Sequence, residues 1–247
     1  MNIGANARVD YSKIKKEYTK NGKGNVRLTQ STLTLIQNID FTKTQYTFPV
    51  LENDNATGIK PEEIRLNQND EFIVTSIGMY VLGKRVIGEA RTPVGGYFYI
   101  THAPTYQVGV ATTIQPLYDG FLRIGINNIN YLDKFDLRKF ENVQRTQWNN
   151  TGAVDNVDAT LPSTQFDTDN MFEISPNITL SGAKKNEITA ILPSSVNAFT
   201  LRYVDNLNEA ILIDFNAIAL EFRGMLAQNG AVFQGSAPRM ARPGIRR

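Results

Sequence analysis

The sequence predicts an all-β chain: a jelly-roll β-sandwich or barrel, with a minimal double jelly roll as the alternative, carrying short helices and extended terminal arms. Three observations predict it. Short alternating or wholly apolar runs recur from Asn25 onward, separated by Gly-, Pro- and Asn-rich turns. Asn, Thr and Ile are plentiful, and they favour turns and strands over helices. A hydrophobic share of 41% with 20% charged residues suits a folded domain. At 247 residues the chain can bury a core as one large β domain or two small ones.

The elements follow in order. VDYSKIKKEYTK, residues 9–20, predicts a short helix with Val9, Ile14 and Tyr18 as a weak apolar stripe under a basic face. Asn21-Gly22-Lys23-Gly24 ends it, so it reads as an arm and not as core. NVRLTQSTLTLIQNI alternates at Val26 and Leu28, then at Leu33 and Leu35, and the slip in parity predicts a bulge. TQYTFPV places Tyr46, Phe48 and Val50 on one face, before the turn LENDNATG. The apolar run of DEFIVTSIGMYVLGK predicts a strand buried on both faces. GGYFYI, TYQVGVATTI and GFLRIGINNI predict three more strands. Leu132, Phe135, Leu137 and Phe140 fall near helical spacing, which predicts a helix near 132–148.

A polar stretch follows, and then EISPNITLSG, NEITAILP and AFTLRYV as strands. NEAILIDFNAIALEF fits two periods. Ile211, Ile213 and Phe215 alternate, while Ile211, Phe215, Ile218 and Phe222 are spaced as on a helix; β-branched content favours strand. The implied organisation is a basic arm at 1–24, a first β unit at 25–150, a polar linker or insertion at 151–175, a second β unit or the closing strands of the same barrel at 176–226, and a basic arm at 227–247. The order of elements from Leu33 to Leu82 is echoed from Ile178 to Phe222.

Charge is sorted along the chain. Residues 1–27 carry +5, residues after Glu221 carry +5 with no acidic side chain, and 28–222 carry −8, for a total of +2. Lys13, Lys15, Lys16, Lys20 and Lys23 at one end, and Arg239, Arg242, Arg246 and Arg247 at the other, are the candidate interaction residues. Like charges at both ends order best against a partner of opposite sign.

Catalytic chemistry is sparse. Without Cys there is no thiolate nucleophile or ligand, and His102 in YITHAP is the single His, so a triad or a His-rich metal site has one candidate at most. The pairs Asp155/Asp158, Asp167/Asp169 and Glu52/Asp54 lie in turns without calcium-loop spacing. Val94-Gly95-Gly96 and Gly182-Ala183-Lys184-Lys185 lack a phosphate-loop signature, and Lys84-Arg85 and Lys184-Lys185 read as solvated hairpin pairs. Tyr97, Phe98 and Tyr99 serve equally as core or as a stacking platform. The expectation is no enzyme, no cofactor and no metal. MNIGANARVDYSK has no apolar signal region and no stretch approaches a membrane span, so synthesis and folding in a cytoplasm are expected.

The segments TQYTFPVLENDN, RLNQNDEFIVTSIGMYV and NITLSGAKKNEITAILP resemble jelly-roll major capsid proteins of tailless icosahedral bacteriophages, in style and element order over about 24–226. That resemblance implies upright β-barrels, often two per chain, assembled as trimers in a shell around nucleic acid and sometimes a membrane. Two full barrels would leave about 15 residues per strand and loop here, at the short end of strand and turn lengths. The expected function is a structural capsid subunit that self-assembles through its body and arms, in a virion assembled in the host cytoplasm. Its expected partners are itself, as a homotrimer, other capsid subunits, and nucleic acid or lipid headgroups through the arms. The alternative is a carbohydrate- or receptor-binding β-sandwich of a spike or lectin-like module.

Overall fold

The structure is a computed structural model that describes residues 11–20, 26–54, 62–88, 90–100, 115–141, 171–204 and 210–232. His102, the predicted strand TYQVGVATTI, residues 151–170 of the polar stretch, Lys23 and the four arginines from Arg239 onward lie outside the described residues, while the end of that stretch is corrected, since Phe172 to Ser175 already belong to a strand.

The described elements include, besides a helical turn at 115–118, the helix α1 (Tyr11–Lys20) and the strands β1 (Arg27–Asn38), β2 (Gln45–Phe48), β3 (Glu71–Ile87), β4 (Thr92–Ile100), β5 (Phe121–Ile126), β6 (Ile129–Asp136), β7 (Phe172–Ser181), β8 (Asn186–Ile191), β9 (Phe199–Val204) and β10 (Ala210–Gln228). The strands form two antiparallel sheets, as the all-β expectation required. Sheet A is centred on β10 and β3. Their lower halves are flanked by β1 and β7, and their upper halves by β9 and β4. Sheet B has the order β2-β8-β5-β6. Strand partners nest along the chain: β1 with β10, β2 with β8, β3 with β7, and β5 with β6. Strands from before and after residues 142–170 therefore share both sheets. The echoing stretches land on matching places, with β3 and β10 central in sheet A and β2 beside β8 in sheet B.

Between the sheets lies one continuous core. Leu35, Phe72, Ile77, Met79, Leu220 and Phe222 of sheet A meet Phe48, Leu122, Ile124 and Ile188 of sheet B, all fully buried or nearly so. Each such side chain contributes about 1.5–3 kcal/mol relative to exposure.

Two expectations are corrected. No helix starts at 132: residues 129–136 are β6, and among the described residues of 132–148 only Leu137–Phe140 form a 3-10 turn, capped by the Asp136 side chain, while 142–148 lie outside the described residues. The cause is a bulge. Leu122 faces Phe135 and Ile124 faces Leu132, leaving one extra residue on β6, with Lys134 at φ 51°. An inserted residue turns a two-residue step into three, so Leu132 and Phe135 both pack against the core at helix-like spacing. In β1 the predicted bulge is absent, since its register with β10 runs unbroken from Arg27↔Gln228 to Asn38↔Ala217. The parity changes because the covered face changes. Val26 and Leu28 face outward under α1, whereas Leu33 and Leu35 face the core.

β3 and β10 carry bulges that the sequence read only as ambiguity. Register slips between Val74 and Ser76 on β3 and between Phe215 and Ala217 on β10. The Thr75 hydroxyl donates to the Arg223 carbonyl at 3.0 Å, satisfying an acceptor beside the slip. The three-residue steps Val74 to Ile77 and Phe215 to Ile218 follow, and all four side chains are core. Period-two residues on a bulged strand thus imitated a helix.

Candidate functional site

The first and last strands of the nested set are neighbours, so the chain enters β1 and leaves β10 at one corner of sheet A, where Arg27 opposes Gln228. Both basic segments therefore start from the same place. Loops converge on this end of the sandwich. The Asp70 carbonyl accepts from Gly182 N at 2.8 Å, and its carboxylate accepts from Asn229 N at 2.7 Å. Ala231 N donates to the Asn69 carbonyl at 3.0 Å. Asn127 and Lys185 exchange two bonds, Asn127 N to the Lys185 carbonyl at 2.9 Å and Lys185 N to Asn127 Oδ1 at 3.0 Å. Asn127, Asn128 and Asn229 hold φ of 50°, 64° and 58°, a left-handed backbone that Asn tolerates better than most residues. Gly182 packs so closely that a Cβ would lie 2.3 Å from the Gln68 carbonyl oxygen.

α1 docks beside this corner on the outward face of sheet A. Ile14, 7% exposed, packs with Ile73, Met225 and Ala227, and Tyr18, Val26 and Leu28 border the cluster. The Tyr18 hydroxyl donates to Glu71 Oε2 at 2.8 Å, which serves a carboxylate on a residue that is 2% exposed. The segment read as an arm alone is therefore anchored to the body, because Ile14 completes an apolar patch that three strands present outward. Lys13, Lys15 and Lys16 remain exposed, and Lys20 closes the helix. Half-buried Lys184 and exposed Lys185, with Arg27, add to the same end; Lys185 is ion-paired to Glu187. The hairpin lysines set aside in the sequence thus sit beside the chain's entry and exit. The signal was topological, not local.

The other candidates are structural. Glu52 accepts from Asn67 Nδ2 at 3.1 Å, and Asp54 closes a turn by accepting from Leu51 N at 2.9 Å. Asp40 is held down to about 2 by hydrogen bonds from Thr42 and from Lys43. Lys84 pairs with Glu62 at 3.0 Å and lies 4.3 Å from the Tyr97 ring centre. Tyr97 and Tyr99 pack outward with Tyr80, and Phe98 packs inward against the core. Burial pushes the Tyr80 hydroxyl up to about 12, and full burial pushes Tyr118 higher still. Val94, Gly95 and Gly96 line an open groove of about 460 Å³ with Arg85, Tyr97 and Phe98.

One feature the sequence did not signal is a buried pair. Arg65 Nη2 donates to Glu63 Oε2 at 2.8 Å with both side chains sealed, and Glu63 Oε1 accepts from Ile36 N at 3.0 Å. Ile64 exchanges two backbone bonds with Thr34 at 2.9 Å. Residues 62–66 thus seal the free edge of β1.

Among the described residues, no group of three or more His, Cys, Asp or Glu could hold a metal, and no helix is long and apolar enough to cross a membrane. Comparison with family models, curated proteins and solved structures finds no match for this chain. What the arrangement offers chemically is concentrated positive charge on a rigid, apolar-backed corner, beneath a body of opposite net charge.

Proposed function

We propose that the chain is a structural subunit of a bacteriophage capsid shell, a non-enzymatic protein that self-assembles, as a trimer, through its β body and its basic segments. The nested strand pairing carries this reading. A jelly roll is one long antiparallel ribbon wrapped into two sheets, and the pairs β1·β10, β2·β8, β3·β7 and β5·β6 follow that order, with β4 and β9 as additions at the top of sheet A. Because all four pairs belong to one nested set, we read one roll and not two. Viral capsid and lectin domains both use this architecture. That two +5 segments join the body at one corner, where Arg27 opposes Gln228, favours the shell, since charge so tethered can serve neighbouring acidic bodies and an anionic interior of nucleic acid or lipid headgroups.

Light scattering and electron microscopy of the purified full chain across a salt series, with and without nucleic acid, test this. Trimers and closed particles, with assembly falling steeply as salt rises, are expected. A stable monomer that binds sugar would replace this reading with the lectin-like one.

A further inference from the structure

We propose that the outward patch of Leu28, Ile73, Met225 and Ala227 is an exchangeable seat, and that in the assembled state each copy's α1 occupies this patch on a neighbouring copy. The proposal rests on the reading of the chain as a self-assembling subunit and names what one copy offers the next.

The seat is rigid and the occupant is not. Ile73, Met225 and Ala227 belong to β3 and β10, the two longest strands, whose register is fixed along most of their length. The seat therefore keeps its shape whether or not a helix fills it. α1 has ten residues, fewer than the roughly 12–15 an isolated helix needs in water, so its helical state depends on a docking surface. Its attachment includes the buried Ile14 and the Tyr18–Glu71 bond, with Tyr18 at the border.

Between α1 and β1 runs Asn21-Gly22-Lys23-Gly24-Asn25. Five residues span at most about 17 Å, and two glycines allow the chain to turn outward as readily as back. The same contacts form in cis or in trans, which makes exchange of such an element a low-cost route to association. Charge then favours trans. Residues 11–20 carry +3 and residues 28–222 carry −8. A helix kept in cis leaves acidic bodies repelling one another, whereas a helix lent to a neighbour links them.

The chain has no Cys, so introduced thiols report without background. Two full-length chains of different tag length, Ile14→Cys in one and Ala227→Cys in the other, are mixed, assembled, oxidised and run without reductant. Each single-substituted chain alone is the control. At equal amounts and random mixing, a disulfide joining the two chains in up to about half of the assembled material is expected. The double variants Ile14→Cys/Ala227→Cys and Ile14→Cys/Met225→Cys should give multi-chain ladders when oxidised in the assembled state, and single-chain closed forms when the same material is reduced, disassembled at high salt and only then oxidised. Assembled particles that yield only single-chain closed forms would overturn the exchange and leave the shell reading standing. Closed single chains with no assembly at any salt would remove both. If neither pair closes in cis or in trans, α1 does not sit on this patch and the inference falls.

Discussion

Sheet A and sheet B enclose the same core but are built to different rules. In sheet A the central strands β3 and β10 run 17 and 19 residues, and most of their side chains are buried on both faces. Sheet B is made of strands of four to eight residues, and β2 alternates exposed and buried as a strand with one wet face should. The outward face of A is covered twice, by α1 over Ile73 and Met225, and by Tyr97 and Tyr99 beside Ile36 and Leu82. Their edges differ too. The β1 edge is sealed by residues 62–66, whereas the β6 edge is kept from pairing by bulges. Sheet A is thus an interior layer with attachments, and sheet B is an outer wall. Among the described residues the outward apolar clusters lie on A, while sheet B exposes Ile129 and Tyr131 on its edge strand β6.

The largest expected contrast lies in two glycines. A Cβ on Gly224 would sit 1.9 Å from the Ile73 carbonyl oxygen, at the β3 bulge, while the nearest atom at Gly125 in sheet B is the Asn130 side-chain oxygen at 3.3 Å. Gly224→Ala should cost more than about 4 kcal/mol or prevent folding, and Gly125→Ala should stay within about 1 kcal/mol. Urea unfolding of both measures this. Equal tolerance would mean that β3 and β10 do not approach as described.

Next is the sealed edge. Glu63→Ala leaves the Arg65 guanidinium buried and uncompensated and frees Ile36 N, at a cost of about 3–5 kcal/mol. Replacing both partners with apolar residues, Glu63→Leu with Arg65→Met, should recover most of it. A double variant no better than the single would show that the pair's charges are not the source of the loss. Faces come third: Ile73→Ala on the outward side of A should cost about 2–4 kcal/mol, and Thr47→Ala on the outward side of B less than about 0.5 kcal/mol.

The same contrast explains what could be read from the sequence. β2 was legible because its outer face is wet and Tyr46 and Phe48 alternate cleanly. The two-faced burial of β3 was legible because Phe72 to Val74 and Ile77 to Leu82 leave no polar face to water. What misled was local geometry that moves period-two residues to period three: the bulges at Thr75, Asn216 and Lys134. No residue type announces a bulge at those places. The candidate site was half legible. Lys13, Lys15 and Lys16 announced themselves by charge, but their position beside Lys184, Lys185 and the exit of β10 depends on β1 pairing with β10, a contact between residues about 200 apart in sequence. The apolar stripe of Ile14 and Tyr18 announced a need for an apolar surface, but which surface was not legible, because Ile73 and Met225 read as ordinary strand residues.

Alkaline pH tests the second cover of sheet A. Burial raises Tyr80 from 10.0 to about 12, and Tyr99 and Tyr97 rise for the same reason. A raised folded-state value means that the unfolded chain loses its proton first. Stability is therefore full below pH 10 and falls between about 10 and 12, by on the order of 1–2 kcal/mol for Tyr80 after solvent screening. Tyr80→Phe should flatten that slope. An unchanged pH profile in the variant would place the titration elsewhere.

The smallest effect should come from the first cover. Tyr18→Phe keeps the ring against the Ile14 cluster and removes only the hydroxyl that Glu71 accepts, at a cost of about 1 kcal/mol. That loss falls on α1 and not on the core, because no core strand depends on the helix for its register. Local opening should rise about fivefold while the global unfolding midpoint hardly moves. Hydrogen exchange at the amides of residues 11–20 reads the first quantity, and urea unfolding reads the second. Gly224→Ala and Tyr18→Phe then mark the two extremes of sheet A: a layer that tolerates no added atom between its strands, and an attachment that one hydroxyl helps to hold. If Tyr18→Phe lowers the global midpoint as much as Ile73→Ala does, α1 is part of the cooperative core, and the helix is no detachable cover.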